Sequence, residues 1–275
     1  RQCTEGLAAG RRTPPKRITC DWQPGVRRFG WEEKPGYIYS FRTLSQVSPD
    51  ILDLKPDYIY LPLQEISDNA DVIGSLIRKG VRIAAVLPRV AFDSEWEKLL
   101  GRLKKAKSAG VRELVCTNIG QPRLLRELGF GLRGDFGLNI MNSQSIRALK
   151  EMGLGACTLS FEMTLPQIRD LSYTLPAEMI VYGRLPLMIT ENCVLRRLDG
   201  SGCPCDGGPV YITDKTGRSF PIYKEEGCRS TLYNSEPLYL ADKRGDLKNI
   251  GVRWLRLNFT TENMHHKLCT VAKPK

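Results

Sequence analysis

The sequence predicts an α/β fold: a TIM-like (βα)8 barrel with a cysteine-bearing hairpin insertion between strands seven and eight. Three observations favour it. From Tyr37 onwards, short β-branched or aromatic runs alternate with amphipathic segments rich in Leu, Ile, Lys and Arg, as in successive βα units. The 275 residues have room for a full barrel. Residues 185–240 interrupt the alternation just before the last strand. An open doubly wound sheet is the alternative fold.

Eight stretches are predicted as strands because they are nearly continuously apolar, as strands covered on both faces are. Helix caps fall between several of them. Ser67 or Asp68 can cap a helix that ends at Gly80, and Asn142 or Ser143 can cap one that ends at Gly153. In chain order the predicted strands are 37–42, 57–63, 82–87, 113–118, 135–139, 156–160, 178–183 and 252–259.

Three segments make up the predicted domain organisation. Residues 1–35 contain paired arginines and prolines with little apolar periodicity, so we expect a basic linker or arm, with an RNA-contacting arm as the alternative. Residues 36–264 form the barrel with its insertion, and residues 265–275 form a tail. Because the first residue is Arg1 and not Met, we expect a piece of a longer polypeptide with an upstream domain, with a processed or trimmed chain as the alternative.

The charge balance favours anionic partners. The chain has 41 Lys and Arg against 30 Asp and Glu, a formal net charge of +11, and nucleic acid is the commonest large anion. We therefore expect RNA as a partner. No apolar run approaches the roughly 18–20 residues of a membrane span, and no signal peptide is visible, so we expect no membrane partner and a cytoplasmic protein. In that compartment the nine cysteines would be reduced or metal-bound.

Four of the nine cysteines are concentrated within a few dozen residues, with the spacing C-x9-C-x-C-x22-C. They are Cys193, Cys203, Cys205 and Cys228. Four thiolates can complete an iron-sulfur cluster or a tetrahedral zinc site. Because Cys203 precedes a proline, it is expected to be extended, which places Cys203 and Cys205 on the same face. The alternative is that several of these thiols are small buried apolar groups.

Polar residues follow the predicted strands at their carboxyl ends, where the chemistry of such barrels takes place. Arginines there can bind an anionic substrate and carboxylates can orient it or move protons. We call the opening at the carboxyl ends of the strands the mouth. The insertion leaves the barrel at this end, so the four thiols are expected beside the mouth. The predicted substrate-binding residues are Arg42, Arg89, Arg184 and Asn139, and the predicted catalytic residues are Glu162, Glu191 and Glu262.

Several enzyme classes lack support. The only histidines, His265 and His266, lie near the carboxyl terminus, so no predicted barrel strand or loop supplies the imidazole of a Ser-His-Asp or Cys-His protease. There is no H-E-x-x-H zinc motif, no P-loop, and no G-x-G-x-x-G after a strand.

Residues 178–193 and 228–240 resemble peptidase family U32, the collagenase-like peptidases of unassigned catalytic type. Supporting motifs extend the resemblance over most of residues 37–262, and they look most like the carboxyl-terminal barrel of longer, multidomain members. The motifs are GDFGLN at 134–139, TLSFE at 158–162, YGRLPLM at 182–188, FP at 220–221, NSEPL at 234–238 and FTTE at 259–262.

The resemblance implies a TIM-like barrel and a four-iron four-sulfur cluster. By motif, Cys193 and Cys228 match cluster ligands, while Cys203 and Cys205 occupy the region of the middle ligands with a weaker match. Members with understood roles resemble oxygen-independent hydroxylation factors for tRNA or rRNA bases, with prephenate as an implicated substrate, or for a quinone ring precursor. Others carry the name of collagenase or protease, which implies a peptide substrate.

One departure limits the transfer. The better-known branch of the family has His-Gly-Ala-Leu-Cys after strand seven, whereas residues 182–186 here are Tyr-Gly-Arg-Leu-Pro. Any role of that histidine is therefore not carried over. The leading hypothesis is a cluster-bearing barrel that takes part in RNA base hydroxylation. The alternatives are a collagenase-like peptidase and a noncatalytic binding half of a multidomain enzyme.

Overall fold

The computed structural model describes residues 34–194 and 208–262. Eight strands belong to the barrel: β1 Gly36–Phe41, β2 Tyr58–Pro62, β3 Ile83–Val86, β4 Glu113–Cys116, β5 Gly131–Gly134, β6 Ala156–Thr158, β7 Ala177–Gly183 and, after the insertion, β13 Trp254–Phe259. The insertion supplies β8 Pro186–Thr190, β9 Val210–Thr213, β10 Ser219–Lys224, β11 Ser230–Tyr233 and β12 Leu238–Tyr239.

The eight barrel strands are all parallel and close on themselves. Each pairs with the next in chain order, and β13 pairs with both β7 and β1, so Leu257 lies beside Tyr182 on one side and Tyr39 on the other. The predicted TIM-like barrel is therefore confirmed, and the open-sheet alternative is wrong.

Helices connect the strands on the outside of the barrel. In the described segments the helices are α1 Pro49–Asp53, α2 Leu63–Asp68, α3 Ala70–Arg78, α4 Trp96–Ser108, α5 Gln121–Leu125, α6 Ser143–Glu151, α7 Leu165–Arg169 and α8 Arg244–Leu247. Asn142 caps α6 as predicted, because its side chain accepts a 2.9 Å hydrogen bond from the amide of Ser145. None of these helices combines the length and hydropathy that a bilayer crossing requires.

Most predicted strand boundaries are within two residues of the observed ones, and two elements differ by more. The fifth strand is β5, not 135–139, because the side chain of Asp135 accepts the amide of Phe136 and turns the chain into a short 3₁₀ segment. The two glycines of β5 give it no apolar strand pattern in the sequence. Gly134 is required by packing, because a Cβ there would lie 2.9 Å from the Leu138 side chain. The helix assigned to a cap at Ser67 or Asp68 begins earlier, as α2, and α3 starts after Asn69.

Side chains on the strands alternate between two cores. One set, including Tyr39, Ile59 and Leu61, packs in the layer between strands and helices. The other, including Ile38 and Tyr60, lies inside the barrel. The interior of the barrel is thus filled by side chains, so a ligand has to bind outside it.

The insertion forms an antiparallel sheet in the order β8-β11-β10-β9. The predicted hairpin is confirmed: Asp214 accepts the amides of Thr216 and Arg218 at 2.8 and 3.0 Å, which closes the turn between β9 and β10. The chain then returns to the barrel through β12, which pairs antiparallel with β7. The insertion therefore starts and ends at the carboxyl end of β7.

Candidate active site at the carboxyl end of the barrel

A buried polar network fills the middle of the barrel. Glu178 is fully buried and accepts hydrogen bonds from the hydroxyls of Thr158 at 2.6 Å and Tyr60 at 3.2 Å. Arg133 donates to the Tyr60 oxygen at 2.6 Å and to Glu113 at 3.0 Å. Burial, together with the nearby Glu178 carboxylate, raises the pKa of Tyr60 well above its ordinary value. Tyr60 therefore stays protonated and links the carboxylate to the guanidinium.

A second ion pair lies above this network, toward the mouth. Arg256 donates to Asp135 at 2.6 Å, and both side chains are 3% exposed. Arg256 also donates to Asn258 at 2.8 Å, and its remaining nitrogen points at Ser40 at 3.4 Å. Asp135 follows the end of β5, and Ser40 and Asn258 are near the ends of β1 and β13. The pair is thus the floor of the mouth.

The charged residues Arg133, Glu178 and Arg256 were not predicted as site residues, because the sequence prediction considered only residues that follow the strands. A signal was available: Arg133, Glu178 and Arg256 are single charges inside otherwise apolar strands. A charge in a strand that is covered on both faces must point into a buried network.

Arg42, a predicted substrate-binding residue, joins the barrel to the insertion. It donates to Glu225 at 2.9 Å and to the Tyr233 oxygen at 3.0 Å, and it stacks 4.1 Å from the Tyr223 ring centroid. Burial opposes its charge, but Tyr233 and Glu225 raise its pKa above the ordinary value. Its donors are directed at protein groups. Binding of a substrate by Arg42 stays a prediction.

Arg89 lies at the mouth in a different environment. Its guanidinium is 5.5 Å from the centroid of the Phe136 ring, which in turn contacts Phe161 at 5.6 Å between centroids. Within the described residues no ion pair involves Arg89, and the residue is exposed. The predicted Asn139 and Glu162 are exposed beside these two rings. Arg89, Asn139 and Glu162 therefore share one accessible side of the mouth.

Arg184 and Glu262 lie on another side, where β7 and β13 end. Arg184 donates to the carbonyl oxygens of Asn234, at 2.9 Å, and of Ser235. Glu262 accepts from the Tyr182 hydroxyl at 3.2 Å. The Arg184 bonds fix the return of the insertion to the barrel, and the Glu262 bond joins β7 to the segment after β13. The catalytic role predicted for Glu262 is still a prediction.

Cys193 and Cys228 lie at one end of the insertion sheet, where β8 stops and β11 begins. We call this the cysteine end. Cys193 follows β8 and Cys228 precedes β11, and these neighbouring strands pair antiparallel with Thr190 opposite Ser230. The chain re-enters the sheet near the same end but at the opposite edge strand, because Val210, the first residue of β9, pairs with Ile222 close to the end of β10. Cys228 is exposed, with a left-handed backbone at φ 61°.

The guanidinium of Arg229 attaches the cysteine end of the insertion sheet to the barrel. Arg229, 4% exposed, donates to Glu191 at 2.6 Å and makes a bidentate pair with Glu95 at 3.0 Å for both contacts. The hydrogen bond from Arg229 lowers the pKa of Glu95. Glu95 precedes α4, and Glu191 is two residues before Cys193. Arg229 therefore joins the two cysteine-bearing turns to the barrel, and the predicted catalytic Glu191 is one of its partners.

Two of the four predicted cluster ligands, Cys193 and Cys228, lie in the described residues. Both described thiols of the predicted set are accessible, whereas the pKa values of Cys116 and Cys157 are raised to about 12 by burial, which disfavours their thiolates. Cys203 and Cys205 lie outside the described residues. Within residues 34–194 and 208–262, no three or more His, Cys, Asp or Glu are grouped to hold a metal. The four-cysteine site stays a prediction.

Solved structures similar to this chain include three of low sequence identity. The U32 peptidase Mk0906 has 11% identity and a TM-score of 0.49, with 88% of this chain and 99% of that chain covered. A mutant tryptophan synthase α-subunit from Pyrococcus furiosus has 9% sequence identity and a TM-score of 0.45, with 83% of this chain and 88% of that chain covered. The spore cortex-lytic enzyme SleL from Bacillus megaterium has 12% identity and a TM-score of 0.39, with 88% of this chain and 75% of that chain covered.

The sequence itself shows the family. No curated protein matches the chain. The family model described as Peptidase family U32 matches residues 64–271, well over half of the sequence. This chain therefore belongs to peptidase family U32.

Proposed function

We propose that this barrel carries a four-iron four-sulfur cluster and takes part in hydroxylation of a tRNA or rRNA base in the cytoplasm. One observation carries the proposal: Cys193 and Cys228 flank the adjacent ends of β8 and β11, where Thr190 pairs with Ser230, and the chain after Cys193 re-enters the sheet through β9 near the same end. Cys203 and Cys205 belong to that connecting stretch. The four thiols are therefore proposed as one ligand set, with zinc as the alternative metal.

Replacing a ring C–H with C–OH, with water as the oxygen source, releases two electrons and two protons. A bound four-iron cluster would pass the two electrons one at a time to an electron acceptor outside this chain. The chain's own residues bind and orient the substrate. Arg89 is exposed above Phe136, and a guanidinium there can pair with a phosphate or with a carboxylate such as those of prephenate. The half-buried Phe136 and Phe161 rings offer a surface on which a base can stack.

The exposed Glu162 carboxylate is the group placed to take a proton on that side of the mouth. Arg42, Arg184 and Glu191 have structural partners and are proposed to shape the mouth. The barrel is proposed to act together with an upstream domain of the same polypeptide.

The experiment is nucleoside analysis of RNA by mass spectrometry. RNA is taken from cells that lack the gene and from cells complemented with wild type, Cys228→Ser or Cys157→Ser. Wild type and Cys157→Ser should restore a hydroxylated nucleoside that Cys228→Ser does not restore. No difference in any hydroxylated nucleoside between deleted and complemented cells would rule out the RNA reaction.

A second candidate function is peptide hydrolysis. The observation that favours it is Glu162, exposed at the mouth of a U32 barrel with no ion pair among the described residues. Such a carboxylate can serve as a general base for water. Gelatin cleavage by metal-replete protein that survives repurification and is abolished in Glu162→Gln would favour this function over RNA hydroxylation.

A further inference from the structure

The end of the barrel opposite the mouth is strongly basic. We define the amino-end face as the loops that lead from helices α3, α4 and α6, and from the turn after α5, into strands β3 to β6. These four strands are neighbours in the barrel. The face exposes the basic residues Lys79, Arg82, Lys107, Arg112, Arg126 and Lys150.

The basic side chains form a band across neighbouring loops, and two of them, Lys107 and Arg126, reach across to the next loop. Lys107 donates to the carbonyl of Leu128 at 2.7 Å and lies 5.6 Å from the Phe130 ring centroid. Arg126 donates to the carbonyl of Met152 at 3.3 Å. The band therefore extends from the start of β4 past β5 to the start of β6, with Arg82 continuing it at β3.

Within the described residues, no ion pair neutralises this band. None of its six cations is within 4 Å of a carboxylate of residues 34–194 or 208–262. Glu113, an acid on the same loops, is held by Arg133 and by the Tyr58 hydroxyl. Glu127 is exposed there. The positive charge of the band is thus directed at solvent.

Helix dipoles account for part of the band only. Cations stabilise the last turn of a helix, and Lys79, Lys107 and Lys150 lie at such ends. Arg82 and Arg112 come after their helices have ended, directly before β3 and β4, where the dipole effect has fallen off. Arg112 reaches back to the Lys107 carbonyl only at 3.5 Å, and Arg82 lies 5.7 Å from the Tyr58 ring centroid. Both guanidinium groups therefore keep donors for a ligand.

We infer that the amino-end face binds the phosphate backbone of RNA, at a surface separate from the mouth. The inference extends the proposed RNA partner and rests on it. Guanidinium groups pair with phosphates in a bidentate geometry, and a band of such groups neutralises several phosphates along one strand. The face fixes the position of the RNA without reading its sequence, and the mouth receives the base.

The test is fluorescence anisotropy with a labelled tRNA transcript, titrated with the full chain at several KCl concentrations. The variant is Arg82→Gln with Arg112→Gln. The matched control is Lys215→Gln with Arg218→Gln, which removes the same charge from the exposed β9–β10 turn. Each phosphate that the protein no longer neutralises reduces the salt slope by about 1, so the variant should lower the slope by about 2 and bind about tenfold more weakly. The control should bind like wild type.

The outcomes separate the two proposals. Unchanged binding by the Arg82 and Arg112 variant, or an equal weakening in the control, overturns the amino-end face and leaves the RNA partner standing. No salt-dependent binding of tRNA by wild type, or binding of anionic lipid vesicles in its place, overturns the RNA partner itself.

Discussion

The two ends of the barrel use the same residue type for different purposes. At the carboxyl end, Arg42, which is half-buried, and Arg229, which is buried, pair with carboxylates and join the insertion to the barrel. At the amino end, Arg82 and Arg112 are exposed and have no carboxylate partner in the described part of the chain. In the described residues, exposed cations without a carboxylate partner therefore line the amino end, whereas Arg42, Arg229 and Arg256 at the carboxyl end are paired with carboxylates. Composition predicts an anionic partner but not the surface that receives it.

The floor of the mouth should give the largest effect on stability. Replacing Arg256 with Met leaves the Asp135 carboxylate buried without its cation, which costs about 3–5 kcal/mol. Adding Asp135→Asn should recover part of that stability. The measurement is the free energy of unfolding in urea for the two single variants and the double variant.

Additive effects in that cycle would contradict the account, because they would mean that the two side chains do not interact. The matched control is Arg147→Met, which breaks an exposed pair with Glu151 and should change the free energy of unfolding by no more than about 0.5 kcal/mol.

A substitution at the cysteine end, Arg229→Lys, should have a smaller effect on stability. A lysine side chain keeps the charge of Arg229 but cannot bind Glu95 through two nitrogens while a third contacts Glu191. We expect Arg229→Lys to lower the free energy of unfolding by about 1–2 kcal/mol and to reduce the iron content of anaerobically purified protein. Full iron content in a destabilised variant would show that Arg229 does not position the thiols.

The amino-end face should give the smallest effect on stability. Arg82→Gln with Arg112→Gln should change the free energy of unfolding by no more than about 0.5 kcal/mol, because these side chains have no ion-pair partner in the described residues. Urea unfolding at low and high salt measures it. A decrease above about 1 kcal/mol would show that the two ends do not differ in the way described.

The fold could be predicted from the sequence because apolar runs and helix caps are local signals. Asn142 and the Asp214 turn are examples in which one side chain determines the local backbone. The prediction misplaced β5 because its Gly-Leu-Arg-Gly sequence has no β-branched residue, and its position depends on pairing with β4 and β6.

The site was predicted less well, for a physical reason. Strand position identifies which residues reach the mouth, but not which of them are already paired across long sequence separations. Arg42 and Glu225 are 183 residues apart, and Arg229 and Glu95 are 134 apart. Arg89 was predicted by the same rule as Arg42, and only the structure distinguishes the exposed guanidinium from the one that joins the barrel to the insertion.

We propose that four thiols bind one cluster beside the end of the insertion sheet where β8 stops and β11 begins. Iron and acid-labile sulfide analysis of anaerobically purified wild type, Cys228→Ser and the buried-thiol control Cys157→Ser tests it most directly. The account predicts about four irons and four sulfides per chain in wild type and Cys157→Ser, and the absence of both in Cys228→Ser. Iron and sulfide contents that are the same in all three proteins would contradict it.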